Sequence, residues 1–186
     1  MNIDGNVKLD EQLSWHWDNA IRPRLKGLTD EEYLWEPVPG CWNIRPRGES
    51  TAQISAGTGD HTIDFAIPQP EPAPVTTIAW RMAHIVVDIF GARTASHFGG
   101  PETHHTTFAH ASTAQDALVQ LEGAYAAWTA GVRSLGNEGL ARKCGPAEGP
   151  HAEEPMAALV LLINREVIHH AAEIALLRDL YPMRSR

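Results

Sequence analysis

A chain of 186 residues is long enough for one domain with a sizeable core and short for two. Hydrophobic residues make up 43% and charged residues 20%, and 15 Lys and Arg against 23 Asp and Glu give a net charge of -8, the wrong sign for a nucleic-acid partner. Apolar runs stay short of the roughly 18–20 residues of a membrane span, and the opening MNIDGNVKLDEQ has neither a basic nor an apolar leader region, which predicts a cytoplasmic protein.

The first helix is predicted from about Val7 to Lys26. Leu9, Leu13, Trp17 and Ala20 share one face, and Ile21, Leu25 and Leu28 extend it. Pro23 should bend this helix and Gly27 stop it. Thr29 followed by Glu32 is a capping-box pattern that opens a short helical turn. Residues 37–74 are dense in Gly and Pro and read as a loop with a short hairpin within STAQISAGTGDHTIDFAI, either a lid or a surface loop. Cys41 in this insert and Cys144 far beyond it lack paired spacing and are expected as reduced thiols without a role.

The second helix should begin at Thr76 and Thr77 and run to about Phe98, where Gly99 and Gly100 end it. Ile78, Met82, Ile85, Ile89 and Ala92 form its apolar face, flanked by Trp80, His84, Val87 and Asp88. The third is expected from Ser112, capped with Gln115, to near Leu135. Its seam of Leu118, Leu121, Tyr125, Trp128, Val132 and Leu135 has no titratable group except a phenol, and so looks structural. The fourth has Glu153 and Glu154 at its positive end, Pro155 in its first turn and Pro182 as its stop. Four amphipathic helices with little strand signal imply an all-α four-helix bundle. One domain over residues 1–186 would carry an insert between the first two helices.

The fourth helix poses the chemical question. Its stripe of Leu159, Ile163, Glu166, Val167, His170, Ile174 and Leu177 puts a carboxylate and an imidazole one turn apart among apolar residues. Burying a carboxylate without a partner costs several kcal/mol, and residues four apart on a helix can reach one cation. His84, near the middle of the second helix beside its apolar face, is the candidate third ligand. Two imidazoles and a carboxylate suit zinc, or nickel or iron, with coordination positions left open for water or substrate. His16, bordering the core of the first helix, is a candidate to line the cavity. His169 points away from His170 as an outer or interfacial residue. His104, His105 and His110 read as a solvated surface cluster, and His61 carries no pattern.

The phrases ALVLLINREVIHHAAEIALLRDLY, TTIAWRMAHI and LSWHWDNAIRPRLKGLTDEEYLWEPVPGCWNIRP resemble the DinB/YfiT-like superfamily, in the branch near mycothiol-dependent maleylpyruvate isomerase, over nearly the whole chain. The resemblance implies an up-down-down-up bundle with a divalent metal at one end, held by His84, Glu166 and His170. Glu166 stands where many members have a histidine. It further implies a metal-dependent enzyme using a low-molecular-weight thiol such as mycothiol for S-transfer or isomerisation of a small electrophile, and a possible homodimer. On this reading a thiol at the open position loses its proton and becomes a nucleophile. Asp88 is a candidate to orient His84, with an exposed helix residue as the other reading. Arg81 and Arg165 are candidates to hold carboxylates of the thiol or substrate, or to pair with nearby acids. The isomerases carry a further C-terminal domain, whereas this sequence ends five residues beyond Tyr181, so a stand-alone thiol S-transferase is expected instead. A metal-dependent hydrolase, with Glu173 as a base, and a non-catalytic metal- or ligand-binding bundle, its cavity lined by Trp15, Trp17, Trp42 and Trp80, use the same pattern.

Overall fold

The computed structural model describes residues 4–184. Helix α1 (residues 5–25) starts where the Asp4 carboxylate accepts the backbone N–H groups of Asn6 and Val7. The bend expected at Pro23 takes the form of a π-turn, Trp17–Ile21, in which the Arg22 N–H reaches back to the Trp17 carbonyl. Proline cannot donate in an i→i−4 ladder, and a widened turn just before it is one way the helix absorbs the gap. Gly27, with φ +73°, supplies the left-handed residue that turns the chain away. Thr29 then caps helix α2 (Asp30–Tyr33), its hydroxyl accepting the Glu32 N–H at 3.3 Å.

The insert is more ordered than its Gly and Pro content suggests. The expected hairpin is β2 (Ile54–Ala56) with β3 (His61–Phe65), and a strand that sequence reading placed in loop, β1 (Ile44–Pro46), pairs with the other edge of β3. The order is β1-β3-β2, all antiparallel, with Ile63 opposite both Ile44 and Ala56. Buried Asp64 organises this sheet: its carboxylate accepts from Arg45 Nε at 2.8 Å, Ser50 Oγ at 2.6 Å and the Asn43 N–H at 3.1 Å. Satisfying three donors at once lets this carboxylate sit buried in the sheet.

Helix α3 (residues 78–98) is capped by Thr77, which accepts the Trp80 N–H, and ends at Gly99 with φ +76°. A second π-turn, Ile85–Gly91, lies in its middle. Helix α4 (Ala114–Ala141) is capped by Thr113, which accepts the Asp116 N–H at 3.1 Å, one residue later than the Ser112 and Gln115 box predicted. Its regular part stops at Gly136, φ +59°, next to the expected end at Leu135, and a last turn continues beyond this break. Helix α5 (Met156–Leu180) follows Pro155 and passes into a short 3-10 turn, Tyr181–Met183, around Pro182.

Helices α1, α3, α4 and α5 bury one shared cluster. Trp17 stacks on Tyr125 with ring centroids 4.0 Å apart, and Phe90 meets both edge-on. Burial of these rings and of Trp128, Leu13, Ile85, Val160 and Val167 supplies the apolar area that holds the helices together. The seam of α4 is structural, as its spacing implied: Leu121, Tyr125, Trp128, Val132 and Leu135 are all buried. Among the described residues no helix is long and apolar enough to cross a membrane.

Candidate metal centre

His84, on α3, and His170, on α5, meet across the helix interface with ring centroids 4.9 Å apart and planes perpendicular. Each ring is held from behind. His84 Nδ1 lies 2.7 Å from Asp88 Oδ2 on its own helix, and His170 Nδ1 lies 2.7 Å from Glu173 Oε2 one turn along α5. A carboxylate oxygen can only accept, so each Nδ1 carries a proton, and in a neutral ring so held Nε2 is the nitrogen with the lone pair. Among the described residues neither Nε2 has a hydrogen-bond partner. Carboxylates behind both rings are how proteins fix the tautomer and aim of metal-binding imidazoles.

The carboxylates are themselves engaged. Asp88 Oδ2 also receives His105 Nε2–H at 2.8 Å. Burial alone would raise the Asp88 carboxyl, but the hydrogen bonds from His105 and His84 outweigh it and hold the group well below the ordinary carboxylate range. Glu173 takes a salt bridge from Arg81, one turn before His84 on α3. Burial lowers the Arg81 pKa while Glu173 supports its charge. Burial is also the main cause of the lowered His170 pKa, with the neighbouring His84 and Arg81 acting in the same sense. A neutral His170 is the form that ligates.

Two groups of three donors lie mutually within 4.8 Å among the described residues: His84, Asp88 and His105, and His169, His170 and Glu173. Glu166 is in neither. Its side chain is 35% exposed, and its carboxylate faces Arg165 at 3.3 Å, at the edge of the apolar stripe. His84 and His170 face one another but fall in different groups, and the carboxylate of the expected triad is turned toward Arg165. His169 lies on the exposed side of α5, with Nε2 3.5 Å from Glu173 Oε1.

Other expected residues are distributed as follows. Arg81 is committed to Glu173 and Arg165 to Glu166. His16 lines a groove of about 110 Å³ between α1 and α5, with Ala20, Arg24, Val167 and Ala171, and none of its lining residues reaches the cavity beside His84. Trp15 is 66% exposed and lines neither space. Two members of the supposed surface histidine cluster are not surface residues: His105 packs against Asp88, and His110 is buried, stacked on His105 at 5.4 Å. Only His104 stays solvated. The Asp88 to His84 spacing of four signalled their contact, whereas nothing local in ETHHTTFAH marks His105.

A cavity of about 320 Å³ opens beside His84. Trp42, Ile63 and Phe65 of the insert, with Trp80 of α3, form its apolar walls, and His84, Asp88 and His105 its polar side.

The sequence pattern of the DinB superfamily matches residues 12–174, which run from within α1 through most of α5 and include every residue of this candidate centre. No curated protein and no solved structure gives a significant match.

Proposed function

The chain belongs to the DinB superfamily, and from that premise we propose that it is a divalent-metal-dependent enzyme that joins a low-molecular-weight thiol of the mycothiol type to a small electrophile, or isomerises one with its help. The observation that carries this reading is the facing pair His84 and His170, both with Nδ1 bound to a carboxylate and Nε2 free. His84 and His170 would hold the ion, zinc before nickel or iron, because borderline divalent ions favour imidazole nitrogen. Glu166, one turn before His170, would complete the set by leaving Arg165, a move of one partly exposed side chain. When bound, such an ion supplies Lewis acidity and lowers the pKa of a coordinated thiol or water.

The chain's own residues do the rest. Asp88 and Glu173 keep the two imidazoles in the ligating tautomer, and Arg81 pairs with Glu173. Arg165, freed from Glu166, would be available to a carboxylate of the thiol, and His16 would line the separate groove along α1. The up-down-down-up order of the helices within one domain, a cytoplasmic setting and a homodimer belong to the same proposal.

Elemental analysis of protein purified without a metal-binding tag, beside His84→Ala, His170→Ala and Glu166→Ala, tests it. About one equivalent of zinc or nickel in the wild type, lost in the variants, is expected. A folded wild type that takes up no divalent ion on reconstitution would refute the metal centre. Metal-loaded protein inactive with every bacterial thiol against halogenated and epoxide acceptors would refute the transferase.

A further inference from the structure

An imidazole held by one hydrogen bond is not yet aimed. The bond from His84 Nδ1 to Asp88 leaves the ring free to pivot about it, because the torsion that sets the plane of a histidine ring has a broad preference. The tilt of that plane needs a second restraint. Trp80, one turn earlier on α3, lies against it: the two rings stack with centroids 5.3 Å apart and planes 21° from parallel.

A tryptophan can steady another ring only if its own plane is held. The Trp80 indole Nε1–H donates to the Asp64 carbonyl in β3 at 2.7 Å, and buried Trp42 packs on the ring with centroids 6.0 Å apart. Both anchors belong to the insert. Asp64 is firmly tied there, since its carboxylate takes three donors and its N–H donates to the Asn43 carbonyl at 3.0 Å. Asn43 Oδ1 in turn accepts from Thr77 Oγ1–H, the cap of α3, at 2.8 Å, and the Thr77 N–H donates to the Trp42 carbonyl at 3.1 Å. The insert therefore grips the start of α3 through its backbone and cap, and separately grips the one ring that stacks on His84.

We propose that Trp80 is a positioning residue for His84, and that the insert sheet acts on the centre through it. The inference rests on the reading of His84 as a metal ligand and adds where its aim comes from. Asp88 fixes the ring at one atom, and Trp80 fixes its plane from a sheet that precedes α3 in the chain. Loosening that sheet is then felt at His84 without the loss of any group that binds an ion.

The test compares the full-length wild type with Trp80→Phe, which keeps a ring and loses the indole donor, and Trp80→Leu, which loses both. Zinc affinity by chelator competition should fall about tenfold in the leucine variant and less in the phenylalanine variant, the range expected for partners that orient a metal-binding histidine. The visible absorption of the cobalt(II) protein should change in the same order, and Trp15→Phe, at an exposed tryptophan of α1, should change neither. Variants that only lower the urea midpoint, with zinc affinity and cobalt spectrum kept, overturn the proposal, because packing alone would do that. Coupling is reciprocal, so zinc must also slow hydrogen exchange of the Trp80 indole proton in the wild type. Equal rates with and without zinc overturn the proposal even if neither variant folds. A wild type that takes up no divalent ion refutes the metal centre instead, and the positioning of His84 is then decided in metal-free protein: its Nδ1–H should exchange with water faster in Trp80→Leu than in the wild type, and an unchanged rate overturns it.

Discussion

Helix α3 places two histidines against carboxylates, one near its middle and one at its C-terminal end, and the two pairs have different fates. At the first, His84 and Asp88 line a cavity, with His84 Nε2 left without a partner. At the other, His97 Nε2 meets Glu148 Oε1 at 2.8 Å with only 6% and 7% of their side chains exposed, and Arg93 approaches the same carboxylate at 3.5 Å. The chemistry is nearly the same, and what differs is which nitrogen is used. His97 spends Nε2, its outermost atom, on a contact that clasps the segment before α5 to the bundle. His84 spends the inner Nδ1 and keeps the outer one. A buried pair of the first kind is a structural clasp, and a pair of the second kind leaves a nitrogen available.

Glu148→Ala should show the largest effect, because it leaves the buried His97 Nε2 without its partner and half-buried Arg93 without its carboxylate. A loss of about 3–5 kcal/mol in urea unfolding is expected, with metal content unchanged. Next comes the acid response of the open end. Burial, and then neighbouring His105, push the His110 pKa down from 6.5 to about 4. The folded state therefore favours the neutral ring: this stability is fully present above pH 6.5, is lost as pH falls toward 4, and changes no further below that. The full span is worth about 3 kcal/mol. His110→Phe should flatten that limb of a pH series of unfolding midpoints. Asp88→Asn should weaken zinc binding about 10–100-fold in a chelator competition, while shifting the urea midpoint of the metal-free protein less than Glu148→Ala does. The smallest change belongs to Arg22, whose pairs with Asp18 and Glu122 repeat the arginine–carboxylate chemistry of the clasp in the open. Arg22→Ala should cost less than about 1 kcal/mol, and a larger loss would mean that burial is not what separates these cases.

How far these features could be read from the chain depends on whether their cause is local. Helix caps and stops at Thr29, Thr77, Gly27 and Gly99 follow from neighbouring residues and were legible, as was the His84 to Asp88 spacing. Glu166 was misjudged as a core-facing carboxylate because three-and-four spacing marks a broad face, and residues on its margin can turn outward, here to Arg165. Strand β1 was invisible because its three residues owe their conformation to pairing with β3, seventeen or so residues later. His105 was misplaced for the same reason: its partner Asp88 lies across the chain's turn between α3 and α4, and no local pattern announces a tertiary hydrogen bond. The π-turns left no pattern that spacing rules detect, since both sit inside runs that satisfy an α-helical period.

The π-turn of α3 lies between the two histidines, after His84 and before Ala92. One extra residue absorbed by a π-turn sets everything beyond it back by about 100° relative to an unbroken α-helix. The two ends of α3 are thus indexed independently. Residues up to His84 take their bearing from α5 and the insert, and residues after Gly91 take theirs from Glu148. Forcing residues 85–91 into regular α-helical hydrogen bonding would rotate His97 and Arg93 off Glu148, whereas removing a single residue there would restore the regular helix and keep that contact in phase. The irregular turn acts as a phase coupler that lets one rod serve two incompatible orientations.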